Sequence, residues 1–239
     1  MKKANKKGFT LIELLAVIII LGVIMLIAIP SVTQQITNSR KNSYIDTASS
    51  YVSAVVVKVN EGSLPMFDTH RVYLIPVGND DTVSCVSLES GGASPFSKFY
   101  NYAYVAVQYT GDSYNYWFLA EDASLQGFEA TPTKTLEKAS RTLVQSGMKS
   151  ITTLSNKYGT PGTTSYTVTD GDKDIIACAS GTGCNTTAWN DLMGTGVTEA
   201  AKGKAAVAFK TAVEGMGTGT DAMTSIQIFG VTKCRSYFD

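Results

Sequence analysis

Charge is scarce in this chain of 239 residues: Asp, Glu, Lys and Arg together make up 17%, and histidine occurs once, at position 70. A lone His70 leaves little material for general acid–base work, and no serine or cysteine accompanies it in a nucleophile-elbow context. No glycine loop of the phosphate-cradling kind opens a helix. Enzyme readings therefore lack residues, His70 reads as a surface histidine, and no cofactor is expected. The formal net charge is zero, so the basic surface that nucleic-acid binding needs is missing as well. The abundance of Gly, Ser and Thr instead suits a turn-rich extracellular β module.

What the chain does have is one long apolar run. Lys6-Lys7-Gly8-Phe9-Thr10-Leu11-Ile12-Glu13 leads into apolar residues through Ile29. Phe9 to Ile29 spans 21 residues, which at about 1.5 Å per residue reaches one bilayer core. Lys2, Lys3, Lys6 and Lys7 precede it and mark the cytoplasmic side. The run is longer than a secretory signal core, and its candidate processing site lies before it rather than after it. A simple anchor would account for the length and the lysines, but not for Glu13. A carboxylate inside a lipid-compatible helix is costly, so Glu13 is a functional candidate.

The stretch KKGFTLIELLAVIIILGVIMLIAIP resembles the N-terminus of a type IV prepilin, the signal shared by type IV pilins, secretion pseudopilins and competence pilins. The resemblance covers about residues 3 to 30 and, more weakly, points to clostridial-type Gram-positive pilins. It implies cleavage between Gly8 and Phe9 by a membrane aspartyl peptidase, and N-methylation of Phe9. It also implies that Glu13 pairs with the Phe9 amine of a neighbouring subunit during assembly, and that the helix kinks or melts between Gly22 and Pro30. Removal of residues 1–8 takes four lysines away and leaves 16 basic against 20 acidic side chains.

All four cysteines lie beyond the apolar run, an even count on the exported side that suggests disulfides with three possible connectivities. The glycine-rich loop between Cys178 and Cys184 favours that pair, and elimination then joins Cys85 to Cys234. Zinc is disfavoured, because Cys-x5-Cys departs from the usual spacing. Asp170, Asp172 and Asp174 open like a calcium loop. However, Ile175 and Gly181 replace the glycine and glutamate such a loop requires, so a turn is the better reading and no metal is expected. Asn185-Thr186-Thr187 matches a glycosylation sequon that is common by chance.

Helical spacing continues past Pro30 through Ile36, Ile45, Ala48, Val52, Val55 and Val59, predicting one helix from Phe9 to Asn60 whose second half buries a stripe. Strands are predicted at 71–77, 83–88, 102–109 and 114–120, with a hairpin turn at Thr110-Gly111-Asp112-Ser113. The aromatic residues between Phe99 and Phe118 suit core and cross-strand packing better than a carbohydrate platform. Further on, a helix is predicted over about 132–158, strands at 165–169, 174–179 and 226–231, and a helix at 198–214.

These elements define an α+β protein, a long N-terminal helix packed on an antiparallel β-sheet head. The divisions are a leader (1–8), a transmembrane and assembly segment (9–30), the amphipathic half of the helix (31–62) and the head (63–131). Residues 132–239 form either a second pilin-like lobe or an extended C-terminal region. The expected function is a structural subunit of a type IV pilus, serving adhesion, twitching motility or aggregation. A pseudopilin or a minor tip adhesin is the alternative. Expected partners are further copies of the chain, other pilins, the prepilin peptidase and the assembly platform. The expected location is the cytoplasmic membrane before assembly and the cell surface after it.

Overall fold

The computed structural model describes residues 10–62, 64–79, 84–88, 92–98, 100–132, 136, 138–148, 174–195 and 204–237. The chain divides into two compact units, Met1–Arg40 and Lys41–Asp239. Helix α1 (Leu11–Asn60) contributes to both.

In the second unit α1 buries Tyr44, Ile45, Ala48, Tyr51, Val52, Val55 and Val59. That spacing of three and four residues puts them on one face of the helix. Gly62, in the left-handed region at φ 74°, ends the helix, and its N–H donates to Val59 O at 3.0 Å. Tyr51 reaches 41 residues along the chain to donate its hydroxyl to Gly92 O at 2.8 Å. Gly92 has φ 79°, and a Cβ there would collide with that hydroxyl, so this close approach requires glycine.

The stripe packs on a seven-stranded sheet of β1 (Arg71–Pro76), β2 (Tyr100–Tyr109), β3 (Tyr114–Asp122), β4 (Gln126–Pro132), β5 (Val144–Ser146), β6 (Ile175–Cys178) and β7 (Ser225–Ile228). The spatial order is β5-β4-β3-β2-β1-β7-β6. Strands from both 63–131 and 132–239 thus lie in a single sheet. The sheet is predominantly antiparallel, as expected, with one parallel pair: β1 and β7, Val72 opposite Ile226. A parallel neighbour needs a long crossover. The chain between β1 and β7 includes helices α2 (Thr186–Met193) and α3 (Lys204–Gly215).

Both faces of the sheet are covered. Tyr73, Ile75, Ala103, Val105, Val107, Phe118 and Phe128 join the α1 stripe in one core. The alternate residues Val72, Leu74, Tyr102, Tyr104, Ala106, Trp117 and Leu119 pack with Leu192, Phe209 and Val213 of α2 and α3 in another. Double coverage explains why β2 reads as an almost unbroken apolar and aromatic run. The aromatic side chains of β2 and β3 are therefore mostly core: Tyr102, Tyr104 and Phe118 are fully buried. Helix α2 is capped by Asn185, whose side chain accepts from Ala188 N at 2.9 Å.

Several predicted elements differ. Residues 84–88 form no strand; just beyond the end of β1 an isolated parallel bridge joins Val77 to Val86. Both edges of β1 are already taken by β2 and β7, so this segment can pair only at the strand's end, where Cys85 N donates to Pro76 O at 2.9 Å. The helix predicted from residue 132 is instead the end of β4, a 3-10 turn (Lys138–Leu143) and β5. Its apparent period arises because Val144 enters the α1-side core while Met148 enters the opposite one. The last strand stops at Ile228, and Val231 opens helix α4 (Val231–Arg235). The strand predicted at 165–169, the part of the predicted helix beyond residue 148 and the start of the helix predicted at 198 lie outside the described residues.

Candidate assembly and processing site

The first unit presents its apolar helix wholly exposed, from Leu11 at 84% through Ile36 at 49%. An 18-residue window of α1 has a mean hydropathy of 3.2, long and apolar enough to cross a membrane. The Gly8 and Phe9 assignments lie outside the described residues.

Thr10 stands immediately before the helix, and Glu13 is the third residue within it. The Glu13 Oε2 atom accepts both the Thr10 backbone N–H and the Thr10 hydroxyl, each at 2.8 Å. Glu13 N in turn lies 3.4 Å from Thr10 Oγ1. This is a capping box, in which side chains satisfy N–H groups that the first helical turn leaves without partners. The carboxylate also sits at the positive end of the helix dipole. Thr10 is a residue the sequence reading passed over, although Thr-x-x-Glu ahead of an apolar run is the signature that finds it. The other carboxylate oxygen, Oε1, makes no hydrogen bond among the described residues.

Gly22 has open space where a Cβ would be, and Pro30 lies inside α1. Pro30 has no N–H to give to Leu26 O, so one turn lacks a hydrogen bond. Just beyond it, Thr33 Oγ1 donates to Ile29 O at 2.9 Å, a back-bond of the kind that bends helices. Helix α1 nevertheless runs unbroken from Leu11 to Asn60 through this segment.

The structure joins Cys85 to Cys234 with Cα atoms 5.7 Å apart, and Cys178 to Cys184 with Cα atoms 5.5 Å apart. The first bridge is buried and fastens α4 to the segment following β1. The second closes the loop between β6 and α2, where Asn185 N donates to Ile176 O at 2.8 Å and so occupies part of the outer edge of the sheet.

Of the calcium candidates, Asp170 and Asp172 lie outside the described residues. Asp174 serves the protein itself: it accepts from Lys233 Nζ at 2.6 Å, Gly230 N at 3.0 Å and Gln227 Nε2 at 3.1 Å. These bonds tie β6 to β7 and to the start of α4. His70 lies 3.1 Å, through Nε2, from Thr220 O and helps hold two loops together.

Residues 3–29 match the family model of the prokaryotic N-terminal methylation motif, the class III signal peptide of type IV pilins. No curated protein and no solved structure matches the chain. The motif covers the N-terminal segment alone; it supports a type IV pilin-like or pseudopilin precursor and implies processing by prepilin peptidase. The apolar helix fits membrane anchoring before assembly.

Proposed function

We propose that the mature chain, beginning at a methylated Phe9, is a structural subunit of a type IV pilus. On this reading residues 1–8 are the leader, 9–30 the transmembrane and assembly segment, and 31–62 the helix half that carries the head. The subunit waits in the cytoplasmic membrane, is extracted by the assembly platform, and packs its helix among further copies on the cell surface. Adhesion, aggregation or twitching motility would be the filament's work.

The observation carrying this reading is Glu13, the one ionisable side chain from Phe9 to Ile29. Its Oε2 closes the helix cap, while Oε1 is not engaged within the described chain. A charge in hydrocarbon costs several kcal/mol by any scale, roughly 3 on insertion scales. A neighbour's amine at Oε1 would offset that cost only on assembly, which gives the acid a reason to exist and the helices a register. Glu13→Ala should leave export, cleavage and membrane insertion intact, because the span becomes more apolar. Its share in sheared filaments, beside a wild-type copy, should fall at least tenfold. Normal incorporation would leave the acid without an assembly role. A pseudopilin carrying the same signal would be distinguished by antibody to the head finding no surface filaments.

A further inference from the structure

The two disulfides lie in different surroundings. Cys85 is 7% exposed and Cys234 0%, and both belong to the core beneath the α1 stripe. Cys178, at the end of β6, is also buried, but its partner Cys184 is partly exposed. The residues between them, from Ala179 to Gly183, are all exposed.

Space beside the Cys184 sulfur is kept open by glycine. Gly181 has φ 130°, and a Cβ there would stand 3.3 Å from Cys184 Sγ. An open hollow of about 470 Å³ lies against β6, lined by Ile175, Ile176, Gly183, Cys184, Asn185 and Thr186. Cys184 thus forms part of its wall, and Cys178 does not. Cys184 also directly precedes Asn185, the cap of the eight-residue helix α2, whose positive end favours the approach of an anion.

The bridge stands beside a second tie. Asn185 N donates to Ile176 O at 2.8 Å, so residues one beyond Cys184 and two before Cys178 are joined as well. β6 is the last strand of the sheet, and this bond occupies part of an edge with no further strand among the described residues.

We propose that Cys184 is a thiol-exchange site, at which a small-molecule thiol opens the Cys178–Cys184 bridge while the Cys85–Cys234 bridge stays closed. A thiolate enters the hollow and bonds to Cys184 Sγ; the Cys178–Cys184 bond breaks, and Cys178 leaves as a thiolate that takes a proton from water. A second thiolate attacks this mixed disulfide, releasing Cys184 and leaving the two small thiols joined as their own disulfide. Two electrons pass from the thiols to the bridge. Access directs the attack, because exposed bridges exchange readily and buried ones resist. Opening the bridge frees the loop next to Asn185, so the Asn185–Ile176 bond loosens and the outer edge of β6 becomes available for pairing.

The test uses the full chain in detergent at neutral pH, briefly exposed to glutathione, quenched with acid, digested and read by mass spectrometry. The glutathione adduct should sit on Cys184 in roughly tenfold excess over Cys178, with the Cys85–Cys234 peptide still bridged. In dithiothreitol, alkylation of Cys178 and Cys184 should run roughly tenfold faster than that of Cys85 and Cys234. Deuterium exchange at the Asn185 amide should accelerate once the short bridge is open. A first adduct on Cys178, equal rates at the two bridges, or a short bridge that resists both thiols would overturn the exchange site. Unchanged exchange at Asn185 after reduction would overturn its link to the sheet edge. Single replacements give an independent check: the free Cys184 of Cys178→Ala should react with glutathione disulfide faster than the free Cys178 of Cys184→Ala, and the reverse order would contradict the assignment.

Discussion

Asp122 carries the clearest pH signature in the head. Burial raises its carboxyl above the ordinary value, outweighing hydrogen bonds from the Ser94 hydroxyl, Gln126 N and Ser124 N that pull it down. The folded state therefore holds this proton more tightly than the unfolded chain. Its stabilising contribution is complete below the ordinary aspartate value of about 3.9, and is lost as pH rises through the raised folded value. The stability of the wild-type chain relative to Asp122→Asn should accordingly increase as pH falls from neutral through that window. Thermal melts in detergent at a series of pH values check it, and parallel curves for the two proteins would contradict it. A second buried polar group nearby, the Tyr44 hydroxyl, has no hydrogen bond among the described residues, and burial pushes it well above its ordinary value. Neither group was legible in the sequence, because burial is a property of packing rather than of residue type.

The β3–β4 hairpin offers a test at the scale of one element. Leu125 occupies a left-handed position at φ 56°, a strain of about 1 kcal/mol for a non-glycine residue. Leu125→Gly would relieve it, offset in part by the extra freedom of glycine in the unfolded chain. The expected net is a gain of roughly 0.5 kcal/mol in urea unfolding; a loss above that size would show that the leucine packs usefully within its own chain. The sequence made some elements readable and hid others, for physical reasons. The α1 stripe was visible because tyrosine and β-branched residues recur at helical spacing. The β2–β3 hairpin was visible because Thr110-Gly111-Asp112-Ser113 punctuates two aromatic runs. The β4 strand was missed because Gln126-Gly127-Phe128-Glu129-Ala130-Thr131-Pro132 is poor in β-branched residues and carries a glycine and a terminal proline; β5 was missed because it has only three residues and the apolar residues around Val144 imitate a helix while serving opposite faces. At the candidate site Gly8, Phe9 and Glu13 stood out as a local motif, whereas the pairing of Glu13 with Thr10 needed attention to capping chemistry as well as to membrane cost.

Across the whole molecule, the sheet order and the parallel β1–β7 pair were beyond reach, since they depend on contacts between residues about 150 positions apart. The disulfides follow a similar gradient of range. Cys178 and Cys184 are separated by 6 positions, and their loop could be guessed from its glycines; Cys85 and Cys234 are separated by 149. In the chain-entropy picture the long link contributes about 5 kcal/mol and the short one about 2 kcal/mol. Replacing Cys85 and Cys234 by serine should therefore lower the melting temperature markedly more than replacing Cys178 and Cys184. Equal losses would mean that the fold does not depend on the long link as its burial implies.

The central claim is that this chain is cut before Phe9 and polymerises through the helix that follows. Filaments sheared from cells, purified and digested, can be read by mass spectrometry for the N-terminal peptide of this chain. The account predicts a peptide beginning at methylated Phe9, present in the filament fraction and absent from precursor held in peptidase-deficient membranes. Filaments that retain residues 1–8, or that lack this chain altogether while the membrane holds it in mature form, would contradict it.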